Sequence, residues 1–194
     1  MKTPFLKIII LLSVFSLMMG CSNENDSPSS NNKKTTSALS QDSSKSSDIK
    51  RSQQTIRTVL TYIFTGPDNE QKKLYKKQMT NDPQALYPYL EEKYKSLLEK
   101  QYLQEFLKNN QGTTWLQTAY RSGYQLEPVT KIKIKKSKTN TNAYTFEFDV
   151  AYSKNDKTNT STVYGNLATA EDGKIVSINV IDDGGLVKKM TLSK

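Results

Sequence analysis

The chain has 194 residues, 28 lysines and arginines against 19 acids, a formal net charge of +9, one cysteine and no histidine. Without histidine there is no Ser-His-Asp or Cys-His nucleophile pair, no imidazole base and no imidazole metal ligand, which removes the commonest hydrolase and metalloenzyme chemistries. A single cysteine forms no internal disulfide, so packing alone must hold the fold.

Met1 to Lys7 is a short basic start, Ile8 to Met19 is apolar, and Gly20 precedes the lone Cys21. The apolar run falls short of the ~20 residues that a membrane-spanning helix needs, and it has the layout of a cleaved signal peptide. From Ser22 to Ser47 the chain is nearly all Ser, Asn, Thr, Lys and Asp, with Ala38 and Leu39 as its one apolar pair. Such a composition buries too little surface to offset ordering entropy, and it predicts a flexible tether over 21–50. Setting aside Lys2, Lys7 and the four lysines and four acids of 22–50 leaves 22 basic and 15 acidic residues in 51–194, a net of +7. This excess suits an anionic surface, and it equally suits plain solubility.

Residues 51–194 predict one domain. In RSQQTIRTVLTYIF, residues 51–64, Ile56, Val59, Leu60, Ile63 and Phe64 form one helical face. Gly66-Pro67 stops it, and Asp68 or Asn69 caps a short second helix through Met79. Asp82-Pro83 reads as a further helix start, and Pro88 as a break or restart. Leu90, Tyr94, Leu97, Leu98, Tyr102, Leu103, Phe106 and Leu107 predict one long amphipathic helix over 88–108. A short helix follows over 113–122, closed by Gly123.

After Tyr124 the period changes to two. Strands are predicted over 129–136, 143–152, 159–169 and 174–181, separated by turns at Thr139–Asn142, Lys154–Lys157 and Glu171-Asp172-Gly173. Helices followed by an antiparallel meander give an α+β domain, with helices packed on a curved four-stranded sheet.

Several groups are candidates for function. Tyr144, Phe146, Phe148 and Tyr152 share one sheet face, which serves either as core or as the wall of a pocket for a small apolar ligand. Lys131, Lys133 and Lys135 form a stripe on the opposite face, extended by Lys136 and Lys138, and suit headgroups or phosphates unless Glu147 and Asp149 pair with them. The acid pairs Glu91-Glu92, Glu171-Asp172 and Asp182-Asp183 lack metal-ligand spacing and fit a solvated helix face and two turns. No phosphate loop or nucleophile elbow is present. The expectation is a protein that is not an enzyme and uses neither cofactor nor metal, with nucleic acid an unfavoured partner.

Gly20-Cys21 and the following SNENDSPSSNN resemble the lipobox and polar start of bacterial lipoproteins, although Met18 and Met19 stand where that pattern has Leu and then Ala or Ser. The resemblance implies cleavage after Gly20, acylation of Cys21 and a lipid-anchored place on the outer face of the cell membrane; more than one acyl chain is what stable anchoring requires. IFTGPDNEQ, LEEKYKSLLEK and GKIVSINVIDDGG are similar to small Gram-positive lipoproteins with cystatin-like or nuclear-transport-factor-2-like domains. That likeness implies a binding or interaction module with a protein partner in the envelope or in conjugative transfer. A pocket enzyme or small-ligand binder of the nuclear-transport-factor-2-like type is the alternative. A third reading rests on VFSLMMG, which resembles peptide pheromones clipped from lipoprotein leaders.

Overall fold

A computed structural model describes residues 37–192, with side chains from residue 46 onward. Gly20, Cys21 and the leader lie outside the described residues. Helix α1 runs Ser37–Phe64, 28 residues, and so extends well into the segment predicted as a tether. Its predicted face is the buried one: Ile56, Val59, Leu60 and Phe64 are fully covered. Once that face has nucleated the helix, each further residue adds a hydrogen bond at little cost, so an exposed stretch such as 46–48 can continue it.

Helix α2 is Asn69–Thr80, and its start follows the predicted rule in full. Asp68 Oδ1 accepts from the Gln71 N–H and Gln71 Oε1 accepts from the Asp68 N–H, both at 2.8 Å, a reciprocal capping box. Asp82-Pro83 starts no helix; it forms a turn in which Asp82 Oδ1 accepts from the Gln84 N–H. Helix α3, Tyr87–Tyr94, begins with Pro88 in its first turn.

The long helix expected over 88–108 is two helices, α3 and α4 (Lys100–Lys108). Between them the backbone turns aside to pair with Ile175: Ile175 N–H donates to the Leu97 carbonyl at 3.0 Å, and Glu99 N–H to the Ile175 carbonyl at 2.9 Å. Glu99, now extended, caps α4 through its carboxylate to the Gln101 N–H at 2.8 Å. The 3.6-residue spacing of Tyr94, Leu98 and Tyr102 continues across the break, which is why periodicity does not register it. Helix α5, Thr114–Ser122, ends as predicted on Gly123 in the left-handed region, φ 75°.

The sheet has five strands, β1 (Gln125–Pro128), β2 (Lys133–Lys136), β3 (Ala143–Lys154), β4 (Lys157–Thr169) and β5 (Ile175–Asp182). It is antiparallel and open, in the order β1-β3-β4-β5, with β2 beside β1 on the same edge of β3. The strand expected over 129–136 thus exists only in its second half, and a strand at 125–128 was not expected. The interruption is stitched to β3, as Val129 N–H donates to the Asp149 carbonyl and Asp149 N–H to Thr130 Oγ1. Asn155 and Asp156, φ 49° and 62°, make a two-residue hairpin that sets Lys154 opposite Lys157 and fixes the whole β3–β4 register. A final helix, α6 (Leu186–Leu192), buries Leu186 and Met190; their i, i+4 spacing after Gly184-Gly185 was its signal.

Helices α1, α4 and α5 pack on one face of the sheet, while α2 and α6 pack on α5, and α3 on α4. Phe64 meets Phe148 with ring centroids 5.4 Å apart and Trp115 at 4.7 Å, and Tyr94 meets Phe106 at 5.0 Å. The other face is solvated and largely polar, carrying Thr145, Glu147 and Asp149 on β3, Thr160, Thr162 and Asn166 on β4, and Ser177 and Asn179 on β5, with Tyr164 exposed opposite Glu147.

Gly165 marks the tightest point of the core side of the sheet. A Cβ there would fall on the Asn179 carbonyl oxygen and 2.5 Å from the Phe146 ring. Gly165→Ala is expected to destabilise the domain by about 1–3 kcal/mol, read as a lower urea midpoint at unchanged slope. An unchanged midpoint contradicts this packing.

Candidate functional site

Tyr144, Phe146, Phe148 and Tyr152 are 3, 1, 2 and 7% exposed. They are packed ring against ring or against the helices, as in Phe146–Phe148 at 6.2 Å and Tyr124–Tyr152 at 5.7 Å. These rings are packed into the core of the domain, and Tyr144 also borders a surface cleft of about 420 Å³ beside Ile49, Ser52 and Glu171. A smaller slot of about 190 Å³ opens instead at the β5 edge, where Phe106, Trp115, Ile178 and Val180 meet Asn109 and Gln111.

The lysine stripe lies on the solvated face. Lys133 Nζ donates to Glu147 Oε1 at 2.8 Å, and the two residues are directly opposite in the β2–β3 register. That hydrogen bond, with the charge attraction behind it, raises the Lys133 pKa and lowers that of Glu147. Lys135 stands opposite Thr145, and Lys131 precedes β2 on an exposed loop. The stripe is therefore mixed in charge. The acid pairs serve local structure: Glu92 pairs with Lys95, Asp172 Oδ1 accepts from the Lys174 N–H in the β4–β5 turn, and Asp183 caps α6 while accepting from Trp115 Nε1 at 3.1 Å.

A half-buried tyrosine cluster joins α1, α2 and α3. Lys93 Nζ lies 4.5 Å from the Tyr62 ring centroid and donates to Tyr89 Oη at 3.1 Å. Burial lowers the Lys93 pKa, while the charges of Asp68 and Glu70 resist that shift. The aromatic faces hold the cation electrostatically, so Lys93 ties two helices together.

An open cleft of about 650 Å³ lies at the β3–β4 hairpin, where several elements meet. Lys72 of α2, Tyr120 of α5, Tyr124, Gln125 of β1, and Lys154 with Asp156 of the hairpin line it. Its walls are fixed by contacts behind them: Tyr120 stacks on Tyr75 at 5.3 Å, and Gly66 and Leu126 exchange backbone hydrogen bonds of 3.0 and 2.7 Å. Lys154 Nζ lies 5.4 Å from the Tyr124 ring centroid, which holds the cation at the mouth. None of these residues was singled out by the sequence. They come from four separate elements, and only the hairpin position of Lys154 was legible.

The cleft and the chain's point of entry occupy opposite ends of the domain. Ile49 and Ser52 of α1 lie beside Tyr144 at the start of β3 and Glu171 in the β4–β5 turn. Ser153 and Lys154 at the end of β3 line the cleft. Tyr144 and Ser153 are nine residue steps apart along β3, which separates the two ends by about 30 Å.

Tyrosine burial carries a consequence at alkaline pH. Burial pushes Tyr102 up to about 12, with the Ile178 N–H donated to its oxygen opposing this, and burial with the Asp68 and Glu70 charges pushes Tyr89 up to about 12. Unfolded tyrosine ionises near 10.0. The folded state is thus fully favoured below pH 10 and loses that stability as pH rises from 10 towards 12. Melting temperature is expected to fall across this window together with the appearance of the tyrosinate absorbance band. A melting temperature that stays level through it contradicts the burial.

Among the described residues no helix is long and apolar enough to cross a membrane, and no three His, Cys, Asp or Glu side chains are grouped to hold a metal ion. Compared with protein-family models, curated proteins and solved structures, the chain matches none.

Proposed function

We propose that the chain is a lipoprotein anchored through Cys21 to the outer face of the cell membrane, and that its domain is a binding module without catalysis. The basic and apolar leader, Gly20-Cys21 and the polar residues that follow support the anchor. The observation that carries the binding role is the separation of the two ends. The chain joins the domain where Ile49 and Ser52 lie, while the cleft of Lys72, Tyr120 and Lys154 lies at the far end of β3. Before Ile49, the 12 residues of α1 back to Ser37 extend the helix by about 18 Å at the end of the domain opposite the cleft.

Helices laid across one face of an antiparallel sheet favour the cystatin-like or nuclear-transport-factor-2-like form of the α+β class. The tightly packed aromatic face favours a binder over a pocket enzyme, because a buried reaction chamber at that face would need the volume that Phe146 and Phe148 occupy. An accessory role in the envelope or in conjugative transfer fits an anchored domain with an open cleft at the end remote from the chain's entry.

Metabolic labelling with a fatty acid tests the anchor. The parent protein is expected to incorporate label and Cys21→Ala to incorporate none. Label retained in Cys21→Ala overturns the anchored reading.

A further inference from the structure

Of the surfaces outside the core, the hairpin cleft carries the most specific chemistry. Its charged lining consists of Lys72, Lys154 and Asp156, and the remainder is rich in hydroxyls and amides, with Tyr120, Tyr124, Gln125 and Asn155 among them. Three exposed lysines elsewhere pair with acids, Lys133 with Glu147, Lys95 with Glu92 and Lys174 with Asp172. Among the described residues, neither Lys72 nor Lys154 has a carboxylate within ion-pair distance. Lys154 is not a loose surface lysine either, since the Tyr124 ring holds its ammonium and Tyr124 is itself 9% exposed.

We propose that this cleft binds an anionic saccharide, with Lys72 and Lys154 receiving its negatively charged oxygens and the tyrosine hydroxyls and amides meeting its sugar hydroxyls. This deepens the reading of the domain as an anchored binding module and rests on it. Lysine is a compact point charge with three donors, so it accepts a phosphate or a carboxylate without the planar match that arginine imposes. The neutral lining gives a purely ionic ligand few partners and a hydroxyl-bearing one many. Asp156 faces the same space; it repels a second anionic oxygen on the hairpin side and can accept from a sugar hydroxyl. An open cleft also suits a segment of a chain better than an enclosed small molecule.

The test titrates the full chain in detergent micelles with three probes while backbone amide shifts are followed. Trigalacturonate carries carboxylates, mannose 6-phosphate carries a phosphate, and maltotriose is neutral. At least one charged probe is expected to shift the amides of Tyr124, Gln125, Lys154 and Asn155, and maltotriose to shift none; the probe that works identifies the charged group. Each charged hydrogen bond is worth about tenfold in affinity, so Lys72→Gln with Lys154→Gln together should weaken binding by about a hundredfold, at unchanged melting temperature. Replacing Lys131, Lys133 and Lys135 with glutamine should leave binding as it was.

Equal binding of maltotriose, a double variant that binds like the parent, or loss of binding in the stripe variant overturns the proposal. So does the absence of shifts with both charged probes. In that last case, fatty-acid labelling that still depends on Cys21 leaves the anchored module standing and removes only the ligand class, whereas labelling independent of Cys21 removes the anchored reading as well.

Discussion

The contact of Phe64 with Phe148 and Trp115 is the junction on which the domain depends. Phe64 ends the first helix, Phe148 sits in the middle of the longest central pairing, and Trp115 opens the fifth helix, with centroids 5.4 and 4.7 Å from Phe64. Aromatic pairs in such tilted and edge-on arrangements contribute about 0.5–1.5 kcal/mol beyond their burial. Their larger effect is on register. A shift of β3 by one residue would turn Phe148 and its neighbours into solvent and bring Glu147 and Asp149 into the core, so helix packing and strand pairing specify each other. The Asn155-Asp156 hairpin reaches the same register from the opposite direction, by turn geometry alone.

A core filled in this way leaves function to the surface. The helices cover one side of the sheet, and on the uncovered side Lys133 is already engaged by Glu147. What remains distinctive is at the ends of the strands. At one end Gly173 lies against Ser52, where a Cβ would stand 3.4 Å from the Ser52 amide and hydroxyl, so turn and helix are in close contact near the entry of the chain. At the other, the helix α5 terminus, the first strand and the β3–β4 hairpin diverge and leave the cleft. The polarity of the domain follows from the topology: a helix that enters at one pole must hand the chain to Gly66 and Pro67 at the other.

Much of this was legible in the residues because local rules and global packing agree. The apolar stripe of the first helix, the Asp68–Gln71 cap, the glycine end at Gly123 and the alternation of Tyr144 to Tyr152 each have a local cause that survives in the fold. The departures have tertiary causes. Leu97 and Glu99 leave the helix because Ile175 offers them backbone partners from 76 or more residues away, and no window of local sequence contains that information. The break between β1 and β2 is bridged by Thr130, which reads in sequence as an ordinary β-branched strand residue. The cleft was illegible for the same reason: Lys72, Tyr120 and Lys154 share no motif, and only the meeting of a helix, a helix terminus and a hairpin brings them together.

The proposed working surface is the end of the domain remote from the chain's entry. A photocrosslinking residue placed at Thr158, in the cleft, and separately at Thr162, on the solvated sheet face, tests this on intact cells. A discrete crosslinked envelope component is expected from Thr158 and none from Thr162. Crosslinking from Thr162 with none from Thr158 would contradict it.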